Sequence, residues 1–403
     1  MSIVLNNLKR LKQMDRQLRL FLVGILLLGV ATGVFEPTFN NYVSDTFNIS
    51  AGKRGVLEFP RELPGFLTTF LIGAVFFLPE TFIASGAALC VGLGMIGLAI
   101  WGQNWTAMMF FMILWSTGAH LMMPVRSSVG MHLAERSREG RRLGQVHGIG
   151  IAGSVLGCVI VIAALRHLEA GYSTTFIAGG IAGILAAVAF MMVRLPGAHV
   201  KRPKLVWRWK YWIFYLLAFL FGARKQIFLT FGPWVLIRVF DQPAYIFARL
   251  WIVSSLIGVF FHPALGRIID KFGERAVLMV DSVCVFAVCA GYVLAHPGGN
   301  MTAALYLLYT CYVVDNLLFG VGMARTTYLA KIATSKEDIA PSLSMGITIN
   351  HAVSMSAPFL GGLIWDAWGY RWVFILSAGI AILMLIVSGL IRIRKSEPTG
   401  GEA

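Results

Sequence analysis

The 403-residue chain is 57% hydrophobic but only 13% charged, where a soluble domain has about 25% charged residues. This composition excludes a soluble globular fold, because such a fold would expose too much apolar surface to water. The 34 Lys and Arg exceed the 19 Asp and Glu, but they form short clusters between apolar stretches, which argues against a nucleic-acid binder. The five cysteines lie inside apolar stretches without metal-binding spacing, so we expect free thiols.

Apolar segments long enough to cross about 30 Å of hydrocarbon follow one another along the chain. They predict twelve transmembrane helices, near 19–42, 58–79, 81–101, 105–126, 146–165, 173–194, 211–236, 246–265, 276–296, 302–325, 343–364 and 371–391. The first apolar run is too long for the core of a cleavable signal peptide. We therefore expect the chain to begin with a membrane span and to carry no soluble domain.

The distribution of Lys and Arg predicts the orientation of these helices in the membrane. Most basic residues fall in the terminal segments and in the loops that an even helix count places on the same side as the termini. Because cytoplasmic loops are enriched in Lys and Arg, we expect a multi-pass protein of the plasma (inner) membrane with both termini in the cytoplasm.

The sequence contains an internal repeat of about half its length. The pattern Gly-Tyr-x-x-x-Phe at 171–176 recurs at 369–374, and the segment that begins at Gly33 in helix 1 aligns with the one that begins at Gly222 in helix 7. We interpret these matches as two related six-helix halves. The predicted divisions are an N-terminal half at 1–194, a basic cytoplasmic linker at 195–210, a C-terminal half at 211–394 and a tail at 395–403.

The loop between helices 8 and 9 reads GRIIDKFGER at 266–275. This pattern (Gly, three residues, Asp, a basic residue, one residue, Gly, one residue, a basic residue) resembles the signature loop of the major facilitator superfamily, and so do the two six-helix halves. The resemblance implies an all-α integral membrane fold of twelve helices in two pseudo-symmetric halves. Two departures from the family pattern weaken an assignment as a drug exporter. The equivalent loop at 78–86 lacks the motif, and helix 5 has glycines but not the Gly-Pro pair that drug–proton exchangers of this family carry there.

The same resemblance implies that the motif latches the cytoplasmic side when that side is closed. We also expect Arg126 and Arg325 at the cytoplasmic ends of helices 4 and 10, where their duplication suggests a gate and their length would equally let them reach lipid headgroups. The predicted cytoplasmic gate comprises Gly266, Asp270, Lys271, Gly273, Arg275, Arg126 and Arg325. On the outer side, Glu58, Arg61 and Glu62 begin helix 2, where we expect an outer gate or a solvated helix end rather than a binding site.

Ionisable residues inside membrane helices usually mark a transport pathway. The repeat places Glu36 of helix 1 opposite Lys225 of helix 7, so both are expected to line one cavity. The candidates for proton coupling are Glu36, Asp315 and His351. The candidates for substrate binding are Arg224, Lys225, Gln226, Asn40, Tyr312, Asn316 and Asn350. The alternative is that Glu36, Lys225 and Asp315 only neutralise one another between the halves.

The leading hypothesis is therefore a secondary transporter that moves a small organic anion or zwitterion by alternating access with protons, as a functional monomer in the bilayer. One alternative is a proton-driven exporter of amphipathic cations that uses Glu36 and Asp315. A second is a membrane sensor that does not transport. We expect no enzyme activity, no cofactor, no metal and no nucleic-acid partner, because no nucleophile, zinc-protease or phosphate-loop pattern is present.

Overall fold

The computed structural model describes residues 15–75, 77–135, 138–195 and 207–392. Helices account for nearly all of the regular structure in these ranges. The first half of the chain contains α1 (Arg16–Phe47), α2 (Ala51–Phe66), α3 (Thr68–Val75), α4 (Glu80–Trp101), α5 (Trp105–His132), α6 (Glu139–Ile162) and α7 (Tyr172–Met191). The second half contains α8 (Trp212–Arg238), α9 (Ala244–Leu294), α10 (Met301–Leu318), α11 (Gly322–Ile332), α12 (Ile339–Trp368) and α13 (Tyr370–Gly389). The linker predicted at 195–210 lies mostly outside the described residues.

These helices form the twelve predicted membrane spans. Ten helical segments of the described chain are long and apolar enough to cross a membrane. One of them, the 51-residue α9, holds two spans, because Gly273 (φ 81°, ψ 162°) interrupts its helical backbone. The remaining span is α2 with α3, whose charged side chains keep its hydropathy low. Large apolar side chains such as Phe260 are exposed on the outside of the bundle, as a lipid-facing surface requires.

Helix α2 corrects a predicted boundary. The sequence indicated a start at residue 58, but the helix begins at Ala51, where the side chain of Ser50 accepts a hydrogen bond from the Lys53 amide at 3.3 Å. The predicted start at residue 58 left Lys53 and Arg54 in an outer segment. Arg54 is nevertheless buried within the helix, because Glu58 lies one turn later and neutralises it at 2.5 Å.

The packing of the two halves follows the internal repeat. A Cβ at Gly33 of α1 would overlap the backbone of Ser154 in α6, and a Cβ at Gly222 of α8 would lie 2.7 Å from the carbonyl oxygen of Asn350 in α12. The equivalent helix pairs of the two halves therefore approach each other closely at equivalent glycines. In both repeated Gly-Tyr-x-x-x-Phe patterns the helix begins at the tyrosine, Tyr172 for α7 and Tyr370 for α13.

The two halves contact each other mainly at one end of the bundle. We call the end that carries the two described termini the terminal end and the opposite end the far end. Among the described residues, the hydrogen bonds between the halves lie from mid-membrane to the far end. Asn41 Nδ2 donates to the Gln242 carbonyl at 2.8 Å, and the Gly52 amide donates to Asp366 Oδ2 at 2.9 Å. This conformation is closed at the far end.

Candidate functional site: a cavity between the halves

A cavity of about 290 Å³ lies between the two halves and is lined by both. The sequence analysis placed Glu36 and Lys225 on opposite sides of one cavity, and both lie on its wall. The predicted site residues on this wall are Glu36, Asn40, Lys225, Tyr312, Asp315, Asn316 and His351. The structure therefore brings these seven predicted residues together around one cavity.

Three predicted substrate residues do not line this cavity. Arg224 is fully buried beside Asp315, with Nη2 and Oδ1 separated by 2.9 Å. Gln226 is also fully buried, and its Nε2 donates to Glu58 Oε2 at 2.5 Å. Successive residues of an α-helix point about 100° apart, so only Lys225 of this run faces the cavity. The third, Asn350, lies behind Lys225 and binds it.

Lys225 and Glu36 are the charged groups of the wall that the protein itself does not neutralise. Lys225 Nζ donates to the neutral Asn350 Oδ1 at 3.1 Å and has no carboxylate within ion-pair distance among the described residues. Glu36 has neither a hydrogen bond nor an ion pair to any described residue. Because an unpaired charge in a membrane helix is costly, these two groups are available for a ligand or a proton.

The other charges near the cavity form a chain of ion pairs along α2. Arg61 Nε lies 2.7 Å from Glu58 Oε2, and Arg61 Nη2 lies 3.0 Å from Glu62 Oε1. Glu58 is fully buried. It also forms an ion pair with Arg54 and accepts a hydrogen bond from Gln226. The expectation of a solvated helix end is therefore wrong. These charged side chains of α2 can be buried in the protein because each carboxylate is paired with a guanidinium within one helical turn.

Two histidines from different halves meet at Glu62. His351 Nδ1 of α12 lies 3.0 Å from Glu62 Oε2, and the ring centroid of His120 in α5 lies 5.1 Å from that of His351. His120 was missed in the sequence analysis, since a single histidine in an apolar helix is usually a core residue. Its position one turn after the small polar Ser116 was the only available signal.

Aromatic rings form much of the remaining wall. Phe35 stacks on Trp115 with centroids 3.5 Å apart, and Trp251 donates from Nε1 to Ser154 Oγ at 2.8 Å. Rings of Phe39, Phe228 and others complete this apolar surface. The cavity can therefore hold a small molecule that combines an apolar or aromatic body with a charged group.

A second cavity of about 320 Å³ continues from this site toward the terminal end. Trp251 and Asn316 line both cavities, and Arg126 lines only the second. Arg126 lies within α5, which ends at His132, and Arg325 lies within α11, which ends at Ile332. The predicted position at the helix ends is therefore wrong for both. Arg325 instead lies with its guanidinium 3.4 Å from the centre of the Phe221 ring.

The motif at 266–275 forms the sharp turn inside α9. Gly266 lies in its first helical part and Gly273 makes the turn with a positive φ that favours glycine. Asp270, Lys271 and Arg275 are exposed and make no ion pair with the described residues. The latch that the family resemblance implies is therefore not engaged in this conformation. Glu274, which the sequence analysis did not single out, pairs with Lys331 at 2.7 Å.

A polar cluster outside the membrane spans surrounds Asp338, which lies just before α12. Asp338 Oδ2 accepts a hydrogen bond from Tyr211 at 3.0 Å and one from Thr334 at 3.1 Å, and Arg208 Nη2 lies 2.6 Å from Oδ1. Partial desolvation raises the pKa of this carboxyl. The hydrogen bonds from Tyr211 and Thr334 and the charge of Arg208 outweigh that effect, so the pKa lies below its ordinary value.

Comparison with known proteins identifies the family. A family model described as Major Facilitator Superfamily matches residues 21–338. The chain belongs to the Major Facilitator Superfamily. It is 22% identical over 275 residues to a Bacillus subtilis (strain 168) protein described as the uncharacterized MFS-type transporter YybF, and the match spans 65% of each chain. This membership identifies the molecule as a multi-pass integral membrane protein.

Solved structures of the superfamily have the same fold. The nucleoside transporter NupG aligns with a TM-score of 0.73 at 13% identity, over 93% of this chain and 98% of that one. A bacterial homolog of the human lysosomal transporter Spinster, in an inward-facing and occupied conformation, aligns with a TM-score of 0.74 at 15% identity, over 93% and 95%. A POT family peptide transporter aligns at 0.70 and 13% identity, over 96% and 99%. At these identities the likeness establishes the fold alone.

Proposed function

We propose that this transporter moves a small organic anion or zwitterion by alternating access and couples that movement to protons. The observation that carries the proposal is that Glu36 and Lys225 both line the cavity and that neither has an ion-pair partner among the described residues. Lys225 is available to an anionic group of the substrate, since its protein partner is the neutral Asn350. The superfamily fold serves nucleoside and peptide transporters alike, so the substrate class must be argued from this cavity.

Proton coupling follows from the charge balance of the site. The carboxylates of Glu36, Glu58 and Glu62 are matched by the cations of Arg54, Arg61 and Lys225 at the cavity. An incoming anion adds one negative charge to this balanced set. A proton on Glu36 or on His351 restores neutrality, so binding of the anion favours binding of the proton. A zwitterion would instead place its ammonium group near Glu36.

Asp315 is assigned a separate coupling role. It lies on the cavity wall and holds Arg224 at 2.9 Å. Protonation of Asp315 would release Arg224 within the C-terminal half. Protonation would thereby change the packing of α8 against α10 as well as the charge of the cavity wall. Asn40, Tyr312 and Asn316 supply the neutral polar groups that orient the substrate.

We place the terminal end in the cytoplasm of a cell with this protein in its plasma (inner) membrane, as the distribution of basic residues favours. The conformation described here is then inward-facing, with the Arg126 cavity as the entrance to the site. Closure of that entrance is assigned to Asp270, Lys271 and Arg275, together with Arg126 and Arg325.

Opening of the far end requires separation of Glu58 from Gln226 and of Glu62 from His351, which makes α2 the outer gate. We propose that one chain suffices, because both halves of the site belong to it.

The first test is a screen for ligand-induced thermal stabilisation of the purified protein across metabolite anions, sugars, amino acids and lipophilic cations. We expect a carboxylate or phosphate compound to stabilise the native protein and to bind Lys225→Met at least tenfold more weakly, or about 1.4 kcal/mol. The matched control is Lys53→Met, whose side chain is exposed on α2. A positive compound then enters uptake and counterflow assays in proteoliposomes, where counterflow also separates a transporter from a sensor.

The opposite result would favour the exporter of amphipathic cations. The aromatic wall and the unpaired Glu36 are the observations that support this second candidate. It predicts stabilisation by lipophilic cations only, unchanged in Lys225→Met and lost in Glu36→Gln. That outcome would overturn the anion site.

A further inference from the structure

We propose that Glu62, His120 and His351 form a binding site for a divalent transition-metal ion, with Zn²⁺ as the best match, that bridges the two halves. Each residue offers one ligand atom, and these atoms lie within 4.8 Å of one another. Ligands of a tetrahedral zinc ion are separated by about 3.3 Å, given zinc–nitrogen distances near 2.0 Å. The contact of 3.0 Å between His351 and Glu62 is already close to that spacing. Water would supply the fourth ligand.

The hydrogen bonds of His120 prepare it to bind a metal. Its Nδ1 lies 2.9 Å from the carbonyl oxygen of Ser116, which can only accept a hydrogen bond. Ser116 Oγ also lies 3.1 Å from this Nδ1, but it donates its own proton to the Arg61 carbonyl. Both contacts therefore assign the proton of the neutral ring to Nδ1 and leave the lone pair of Nε2 for a ligand. Metal-binding histidines usually donate their second nitrogen to a backbone carbonyl or a carboxylate in this manner.

Gly65 leaves the space that the ion requires. A Cβ at this position would lie 2.6 Å from His120 Nε2 and 2.6 Å from His351 Cε1. Any other residue at 65 would fill the volume between the two rings. The imidazole nitrogens favour zinc, nickel or cobalt over magnesium or calcium.

The charges around the site are compatible with a divalent cation. Glu62 shares its carboxylate with Arg61, but Arg61 also binds Glu58 at 2.7 Å and keeps that partner if Glu62 turns to the ion. Glu36 and Lys225 interact electrostatically with Glu62 across the cavity, whose wall also carries Arg54 and Asp315. The ion can arrive by two routes, because His120 and His351 line both the central cavity and a separate cavity of about 420 Å³ beside Gly65 and Thr68.

The position of the ligands gives the ion a specific effect on transport. Glu62 and His120 belong to the N-terminal half and His351 to the C-terminal half, at the inner edge of the contact that closes the far end. Opening of the far end would separate these ligands. A bound ion would therefore hold the protein in the conformation described here and inhibit alternating access.

The test is a titration of the purified protein with Zn²⁺, and separately with Co²⁺, above the ordinary histidine pKa of about 6.5. We expect one ion per chain, thermal stabilisation by Zn²⁺ and the visible absorption of tetrahedral Co²⁺. His120→Gln and His351→Gln should each bind Zn²⁺ at least tenfold more weakly, and Gly65→Ala should weaken it as well. The matched controls are His147→Gln and His262→Gln, which line the neighbouring cavity and should bind Zn²⁺ as the native protein does.

Several outcomes would overturn the proposal. One is equal Zn²⁺ binding by native protein and by the His120→Gln and His351→Gln variants, each shown to be folded by its unliganded melting temperature. A second is loss of binding in the control variants instead. Accumulation of Zn²⁺ inside proteoliposomes would also contradict it, because the ion would then be cargo rather than a clamp. None of these measurements depends on the organic substrate, so the test is independent of the proposed function.

Discussion

Glu36 of α1 and Lys225 of α8 occupy equivalent positions of the internal repeat and face the same cavity from opposite halves. One is an acid and the other a base, and the described structure pairs neither with an opposite charge. The repeat thus places Glu36 and Lys225 at equal depth in the two halves. Because one half carries an acid at this position and the other a base, the two sides of the site have opposite charges. This arrangement supports the proposal that the substrate is an asymmetric molecule bound in one orientation.

Replacement of Glu36 by glutamine should separate substrate movement from the proton gradient. The neutral amide retains the size of the side chain and cannot exchange a proton. We expect counterflow of the identified substrate to persist, while accumulation driven by a pH gradient falls at least tenfold. Both are measured in proteoliposomes. Asp45→Asn, at an exposed acid that accepts a hydrogen bond from Tyr172 at 2.5 Å, is the control, and an equal loss there would contradict the assignment.

Replacement of Glu58 by glutamine should strongly destabilise the fold. Glu58 is fully buried and pairs with both Arg54 and Arg61. Arg61 keeps Glu62 when Glu58 is lost, but the buried Arg54 is left without an ion-pair partner among the described residues. We expect a loss of about 3–5 kcal/mol, as for other broken buried ion pairs. Thermal unfolding in detergent measures the change. The control is Glu135→Gln, whose exposed pair with Arg138 should contribute at most about 1 kcal/mol.

A methyl group at Gly33 should disturb the contact between α1 and α6. The new Cβ would overlap the carbonyl oxygen of Ser154, which belongs to the backbone and cannot rotate away. We expect Gly33→Ala to destabilise the protein by about 1–3 kcal/mol, the usual range for overpacking. Gly379→Ala is the matched control, since a Cβ at that position would have no described atom of another residue within 4 Å beyond its own helical turn. Equal melting temperatures for the two variants would argue against the tight helix contact.

The stability contribution of Asp338 should depend on pH in a defined direction. Its pKa is lower in the folded protein than in the unfolded chain, so the carboxylate stabilises the fold above the ordinary aspartate pKa of about 3.9. The contribution is lost as the pH falls through the lower folded value. Asp338→Asn should therefore melt at a lower temperature than the native protein at neutral pH. The difference should disappear under acidic conditions, and a difference that grows in acid would contradict this account.

Much of the site could be predicted because membrane sequences restrict polar residues so severely. Glu36, Asp315 and His351 were conspicuous in apolar helices, and the repeat related Lys225 to Glu36. The errors concern helix α2 and the partners of the charges. Arg54 was expected in an outer segment and Glu58 at an outer gate or a solvated helix end, because a charged stretch is normally outside the membrane. Only their mutual neutralisation permits their burial.

The sequence by itself determined the membrane class, the twelve spans and the two related halves. The membrane class and the spans follow from the length and spacing of apolar runs, which the thickness of a bilayer imposes on any chain. The two related halves follow from the internal repeat. Only the tertiary structure decided which charges are paired and which are free. It showed that Arg224 is held by Asp315 while Lys225 faces the cavity, and that His120 meets Glu62 and His351. Such pairings join residues far apart in the chain, and they depend on helix rotation and crossing, which periodicity along one helix does not specify.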